Sequence, residues 1–102
     1  MAQLIALYKK PADAAAFDAY YYSTHVPLAK TVKGLRRYDV STGAVAGGQG
    51  ESGLHLVALL SFDSMAAIQQ ALGSPEGMAT AADLANFAQA GVDLLMFDTK
   101  EV

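Results

Sequence analysis

Short runs of hydrophobic residues recur along the chain, and most are bounded by Pro, Gly or charged residues. Runs of this length with such boundaries are typical of β-strands. We predict four strands, at residues 3–8, 35–42, 54–62 and 92–99. The last two are hydrophobic on both faces, which is typical of strands that are buried on both sides.

Between these runs the hydrophobic residues recur every three or four positions, which predicts helices. The first helix should cover 12–31, and Pro27 should break or restart it because proline lacks an N–H. A second helix is predicted at 65–72. Residues 74–76 have the order of a cap, a first-turn proline and an acid. The Thr-Ala-Ala-Asp sequence that follows resembles a capping box and predicts a helix over 80–90.

The predicted order is β-α-β, a glycine-rich segment, then β-α-β. Two such units on one sheet describe an α+β, ferredoxin-like βαββαβ fold with a four-stranded antiparallel sheet. The 102 residues suffice for one domain, spanning 1–102. The helices should cover one face of the sheet, and the other face is too hydrophobic to stay exposed. We therefore expect a homodimer in which two sheets face each other as an α/β barrel.

The segment at 43–53 contains five glycines and a single charged residue, Glu51. Its glycine spacing matches neither a Walker loop nor the dinucleotide fingerprint. We interpret it as a mobile loop that is either a lid over a pocket or a dimer contact.

Composition and charge narrow the classes of function. Seven Lys and Arg against ten Asp and Glu leave a net charge of −3, which argues against nucleic acid as a partner. Hydrophobic residues make up 53% of the chain, which favours a subunit interface or an apolar cavity for a small hydrophobic ligand. The chain has no cysteine, so disulfides and thiolate chemistry are excluded. With no spanning run and no basic leader, we expect a cytoplasmic protein without a membrane partner.

His25 has the most distinctive chemistry, because a neutral imidazole can accept or donate a proton near pH 7. It lies one turn from Tyr21 and just before Pro27, at a helix end where a cavity could open. We predict it to be the catalytic acid or base. The alternative is a structural histidine that hydrogen-bonds a carbonyl at the helix end.

Tyr20, Tyr21 and Tyr22 are consecutive, so on a helix their rings point in directions about 100° apart. Tyr20 and Tyr21 flank the hydrophobic stripe, and Tyr38 on the second strand could face the same pocket. These three are predicted substrate-binding residues whose phenols hydrogen-bond an oxygenated ligand. The alternative is that at least two of the three consecutive tyrosines are core aromatics.

Arg36 is a further substrate-binding candidate, since an arginine can hold a carboxylate or a phenolate. The alternative is an ordinary exposed strand in which Arg37 and Asp39, which share a face, pair with each other. His55 has no partner at metal-ligand spacing, so we predict no metal site.

Two segments resemble proteins of the EthD type. Residues 17–28 (FDAYYYSTHVPL) match the pattern F-x-x-Y-Y-x-x-x-H-x-P-L of that family. Residues 33–40 (KGLRRYDV) match the P-G-L-R-x-Y-x-V pattern that follows it, with Lys33 where the family usually has Pro. Residues 74–76 and 82–87 are similar to the family's second helical region. The resemblance spans nearly the whole chain and implies a dimeric α/β barrel.

The resemblance also sets the expected functions. The family is named for a gene cluster for ethyl tert-butyl ether degradation, and fungal relatives act as cofactor-free decarboxylases or dehydratases on aromatic polyketides. Similar barrels include isomerases and cofactor-free monooxygenases. We expect an enzyme without a cofactor that performs proton transfer (decarboxylation, dehydration or isomerisation) on a small hydrophobic oxygenated or aromatic substrate. The alternatives are a non-catalytic ligand-binding or accessory protein of an oxidative degradation pathway, and a haem-dependent barrel.

Overall fold

The computed structural model describes residues 1–102 and places one layer of helices on a four-stranded sheet. The strands are β1 (Ala2–Lys9), β2 (Arg37–Val40), the short β3 (Ala46–Gly47) and β4 (Gly50–Glu51), β5 (Leu54–Phe62) and β6 (Val92–Asp98). The main sheet has the order β2-β5-β1-β6, and every neighbouring pair is antiparallel. This confirms the predicted ferredoxin-like fold with its four-stranded antiparallel sheet.

The glycine-rich segment at 43–53, interpreted from the sequence as a mobile loop, contains a short hairpin. Two of its residue pairs form the hairpin β3–β4. Gly50 has a φ of +117°, a conformation that L side chains rarely adopt, so glycine allows the chain to reverse there.

The helical segments are α1 (Ala14–Tyr20), a π-helical turn (Tyr21–His25), α2 (Val26–Ala29), α3 (Met65–Gly73) and α4 (Pro75–Phe87). The predicted helix over 12–31 is thus divided near Pro27. Because Pro27 has no N–H for the carbonyl four residues earlier, the α-helical ladder is interrupted there. The N–H of Val26 bonds instead to the carbonyl of Tyr21, five residues earlier. Tyr21 and His25, at the two ends of this wider turn, are both buried.

The last helix begins at Pro75 and not at Thr80, so the capping-box interpretation was wrong. The Ser74 hydroxyl accepts the N–H of Gly77 at 3.1 Å, and Pro75 occupies the first turn. The Thr80 hydroxyl donates to a backbone carbonyl one turn earlier, as in a helix interior. Asp83 therefore lies inside the helix, where its side chain is free to bond other elements.

Helices α3 and α4 approach each other closely at Gly77. A Cβ added there would overlap the backbone carbonyl oxygen of Ala71. A Cβ added to Gly73, at the end of α3, would meet nothing within 4 Å. Gly77 therefore permits the close approach and fixes where α4 lies on the sheet.

The sheet has one covered face and one open face. The helices cover the face that carries Ala6 and Leu56, both buried. On the open face Ile5, Leu59 and Leu95 are aligned across β5, β1 and β6. Leu59 is 40% and Leu95 49% exposed, so a single chain leaves hydrophobic surface in contact with water.

Candidate active site

A small cavity lies between the helices and the covered face of the sheet. Its volume is about 60 Å³. Most of its wall is aliphatic and comes from β1, β5, α2, α4 and β6. The side chains in its lining that carry a polar or ionisable group are those of His25, Tyr8, Tyr38 and Thr80. Leu94 also lines it and is 44% exposed, so the cavity opens at the edge strand β6.

The imidazole of His25 is held by a carboxylate from a distant part of the chain. Its Nδ1 lies 2.9 Å from Oδ2 of Asp83 on α4. The two side chains are only 5% and 8% exposed. A hydrogen bond between a histidine and a carboxylate is stronger where water is excluded.

Asp83 accepts two further hydrogen bonds, both on its other oxygen. The Tyr20 hydroxyl donates to Oδ1 at 2.6 Å, and the Asn86 amide donates to it at 2.9 Å. Burial acts to raise the pKa of Asp83, but the hydrogen bonds from Tyr20, Asn86 and His25 outweigh it and hold the pKa below its ordinary value. Asp83 is therefore an ionised acceptor at neutral pH.

This ionised acceptor determines which nitrogen of His25 is reactive. A carboxylate can only accept, so Nδ1 carries a hydrogen whether the ring is neutral or protonated. Nε2 is then the nitrogen that gains or loses a proton. It has no hydrogen-bond partner in the protein, yet no buried side-chain nitrogen or oxygen is left unpaired, so Nε2 must reach accessible space. His25 lines the cavity, which supplies that space.

A row of phenols lies on the sheet side of the site. The hydroxyls of Tyr21 and Tyr38 are 2.6 Å apart, and the rings of Tyr8 and Tyr21 pack edge to face at 5.5 Å. Burial raises the pKa of Tyr8 and Tyr21 far above the usual range, and a negative charge on Tyr38 would raise both further. Burial also raises the pKa of Tyr38. All three phenols are therefore neutral hydrogen-bond donors at physiological pH.

The predicted site residues divide into three groups. His25 and Tyr38 line the cavity, and Tyr21 is completely buried behind Tyr38. Tyr20 does not line the cavity and instead donates its hydroxyl hydrogen bond to Asp83. Arg36 does not line the cavity, because its guanidinium forms two hydrogen bonds, at 3.1 and 2.8 Å, to Asp63 at the surface.

Two residues of the site were not singled out from the sequence. Asp83 was interpreted as part of a helix cap, although it lies four residues before Phe87 on the buried side of α4. An acid on a buried helical stripe is a signal that could have revealed it. Tyr8 was assigned only to a buried strand, where it lies on the same face as Ala6.

The second histidine lies in a separate and more open cleft of about 510 Å³. A β-bulge inserts His55 between Leu54, which pairs with Lys9, and Leu56, which pairs with Tyr8. Its Nε2 lies 2.7 Å from Oδ1 of Asp18 on α1.

No three His, Asp or Glu side chains converge in a way that could hold a metal ion. None of the helices combines the length and the hydrophobicity that crossing a bilayer requires.

Comparison with known proteins identifies the family. The model of the EthD domain matches residues 9–91. An uncharacterized 11.0 kDa protein in the thcB–thcC intergenic region of Rhodococcus erythropolis is 40% identical over 102 residues, which are 100% of this chain and 98% of that protein. The chain belongs to the EthD family.

Solved structures of this EthD family and beyond share the fold. An EthD family protein from Bacillus halodurans C-125 is similar with a TM-score of 0.88 at 36% identity, over 98% of this chain and 99% of its own. The hydroxynitrile lyase from Passiflora edulis has a TM-score of 0.76 at 12% identity, over 99% and 94%. A dimeric ferredoxin-like protein from Thermobifida fusca has a TM-score of 0.70 at 16% identity, over 96% and 90%. The last two show the fold alone.

Proposed function

We propose that this EthD-family protein is an enzyme that transfers protons on a small hydrophobic, oxygenated substrate and needs no cofactor. The observation that carries the proposal is the buried pair of His25 and Asp83, whose free Nε2 reaches an apolar cavity. Burial, a fixed tautomer and a nearby cavity together are typical of a histidine used as a general acid or base.

The proposed step begins when Nε2 of His25 takes a proton from a carbon next to the substrate carbonyl. The electron pair of that C–H bond moves to the carbonyl oxygen, which the phenol of Tyr38 stabilises with a hydrogen bond. Asp83 stabilises the imidazolium through Nδ1. Isomerisation is completed when Nε2 returns the proton to a different atom, and dehydration when it protonates a departing hydroxyl.

One property of the site favours proton transfer over simple ligand storage. A storage site needs shape and hydrophobic surface, and the aliphatic wall supplies both. It does not need an ionised carboxylate held by three donors behind a histidine, because burying such a group is costly unless it is fully hydrogen-bonded. The Passiflora hydroxynitrile lyase indicates that the same fold can carry lyase chemistry.

The test is hydrogen exchange from carbon acids in D₂O, followed by NMR on a panel of small ketones, esters and lactones selected by thermal shift. A saturating ligand at 100 times its Kd should add about 2.7 kcal/mol to the free energy of unfolding. We expect His25→Gln to retain most ligand binding and to lose exchange, and His55→Gln to retain both. Exchange at the wild-type rate in His25→Gln would contradict the proposal. Ligand binding without exchange or conversion would support the accessory-protein alternative.

We also propose that two copies pair through the open face of the sheet. Ile5, Leu59 and Leu95 form a continuous hydrophobic band there, and the related Thermobifida structure is dimeric. Leu95→Lys should shift the mass measured by light scattering from two chains towards one. Met78→Lys is the matched control, because Met78 is 56% exposed on α4, away from this face.

A further inference from the structure

The distribution of charged side chains around the cavity limits which ligands it can bind. No Lys or Arg lines it. Four of the seven cationic side chains form ion pairs elsewhere: Lys9, Lys10, Arg36 and Arg37. The remaining three lysines are exposed.

Protonation of His25 does not change this limit. The positive charge of the imidazolium would be neutralised by Asp83, 2.9 Å away. Without His25 protonated, the only charge next to the cavity is the Asp83 carboxylate, which repels anions. An anion entering the cavity would lose its hydration and gain no counter-charge, which is strongly unfavourable.

The phenols give the cavity a hydrogen-bond donor that the protein does not use. Tyr8, Tyr21 and Tyr38 lie in a row. Three phenols in a row form at most two hydrogen bonds with one another, so at most two of their three O–H groups donate within the row. Tyr8 and Tyr38 both line the cavity. An O–H of Tyr8 or Tyr38 that is not donated within the row can therefore bond an oxygen of the ligand.

Volume sets the size of the ligand. A site needs roughly 10–15 Å³ of such volume for each water-sized group, so about 60 Å³ holds about four to six of them. An apolar cavity that admits benzene is about 150 Å³, which is more than twice as large. The cavity of this chain therefore fits a compact aliphatic molecule better than an aromatic ring.

We infer that the cavity selects a compact, uncharged aliphatic molecule with a hydrogen-bond-accepting oxygen, such as a short ketone, aldehyde or ester, and rejects the carboxylate of the same shape. This inference rests on the proposed function only for the position of the site. It reduces the expected reactions to those that begin from a neutral substrate, so decarboxylation of a free acid is not among them.

Acetone and acetate test the inference, because they have the same three-substituent shape around the carbonyl carbon and four non-hydrogen atoms each. NMR titration of the wild-type protein at neutral pH should give saturable shifts of the His25 and Tyr38 signals with the ketone. Acetate should bind at least tenfold more weakly. Phenol, as the aromatic probe, should also bind more weakly than the ketone.

Two variants assign the binding to the cavity. Tyr38→Phe should weaken ketone binding about three- to tenfold, the loss expected for one hydrogen bond. Tyr22→Phe, which alters a half-exposed phenol outside the cavity, should leave it unchanged. Acetate binding as tightly as acetone, or no acetone-induced shift at the cavity residues, would overturn the inference. Ketone binding in the cavity without hydrogen exchange would leave the inference standing and contradict only the proposed catalysis.

Discussion

His25 and His55 are the two histidines of the chain, and each forms a short hydrogen bond to an aspartate on a helix. The distances, 2.9 and 2.7 Å, do not distinguish them. The exposure of the two histidine–aspartate pairs to water does distinguish them. The side chains of His25 and Asp83 are 5% and 8% exposed, whereas those of His55 and Asp18 are 21% and 49% exposed.

The partners of the two aspartates differ as well. Asp83 is bonded by Tyr20 and Asn86 in addition to His25, whereas Asp18 has His55 as its one side-chain partner. The imidazole of His25 reaches a small apolar cavity, and that of His55 lines an open cleft that also holds Lys10 and Glu51. Water and neighbouring charges screen the second pair. Burial and additional donors, rather than the His–Asp distance, are therefore what separates the His25 pair from the His55 pair.

Replacement of each histidine should give the largest difference between the two regions. With a substrate found by the exchange screen, His25→Gln should lower kcat by roughly 100-fold or more, since general acid–base catalysis contributes about 10²–10⁴-fold. His55→Gln should change kcat less than about threefold. Steady-state kinetics on both variants checks this, and equal losses would remove the distinction between the pairs.

Displacement of α4 should break only the first pair. Gly77→Ala forces α4 away from Ala71, and we expect a loss of about 3 kcal/mol or more in the free energy of unfolding. The NMR signals of His25 should shift while those of His55 stay in place. Gly73→Ala is the matched control, since its Cβ meets nothing and alanine favours the helix by about 0.5–1 kcal/mol. Equal stability of the two variants would show that the contact at Gly77 is not tight.

Removal of each carboxylate should also separate the pairs. Asp83→Asn keeps an oxygen for Tyr20 and Asn86 but puts an amide N–H donor opposite Nδ1 of His25 and removes the carboxylate charge, which should cost about 2–3 kcal/mol in urea unfolding. Asp18→Asn should cost less than about 1 kcal/mol, because Asp18 is half-exposed. The ¹⁵N shifts of His25 should show hydrogen on Nδ1 in the wild type and lose that preference in Asp83→Asn. An unchanged tautomer would mean that Asp83 does not orient the ring.

The stability contributed by Asp83 should depend on pH in a defined direction. Its pKa in the folded protein is below the ordinary value of 3.8, so the carboxylate stabilises the fold fully above about pH 4 and progressively less as pH falls through the folded-state pKa. The difference in free energy of unfolding between wild type and Asp83→Asn should therefore shrink in acid. Tyr20→Phe removes one of the bonds that lower this pKa, so the stability it loses in acid should be smaller than in the wild type and the loss should be complete at a higher pH. A difference that is constant down to pH 2 would contradict this assignment.

The smallest effect is expected from the tyrosines. Tyr21→Phe loses the hydrogen bond to Tyr38 and should cost about 0.5–1.5 kcal/mol in urea unfolding. Tyr22→Phe should change the free energy of unfolding by less than about 0.5 kcal/mol, because Tyr22 is half-exposed and forms no hydrogen bond through its hydroxyl. If both variants behave alike, the phenol row contributes nothing to stability.

Part of the candidate site could be predicted because the sequence pattern that points to it lies within one short segment. His25 and Pro27 share one helical segment, and the pattern of residues 17–28 is what made the EthD resemblance visible. The pairing of Arg37 with Asp39, given as an alternative to a ligand-binding role, is confirmed at 2.6 Å because the two residues share one strand face. The role expected for Arg36 depended on what lay beside it after folding, and its neighbour is Asp63, 27 residues away.

The pattern of residues was enough to predict the four main strands and the ferredoxin-like fold, because side-chain periodicity, proline and glycine act within a few residues of where they stand. The site, in contrast, depends on contacts between distant segments. Asp83 meets His25 across 58 positions of sequence, and this contact exists because α4 packs closely at Gly77 and turns one face towards the turn at Tyr21–His25. Neither the burial of that carboxylate nor the size of the cavity beside it is a property of any single segment. Both arise when separate elements exclude water between them.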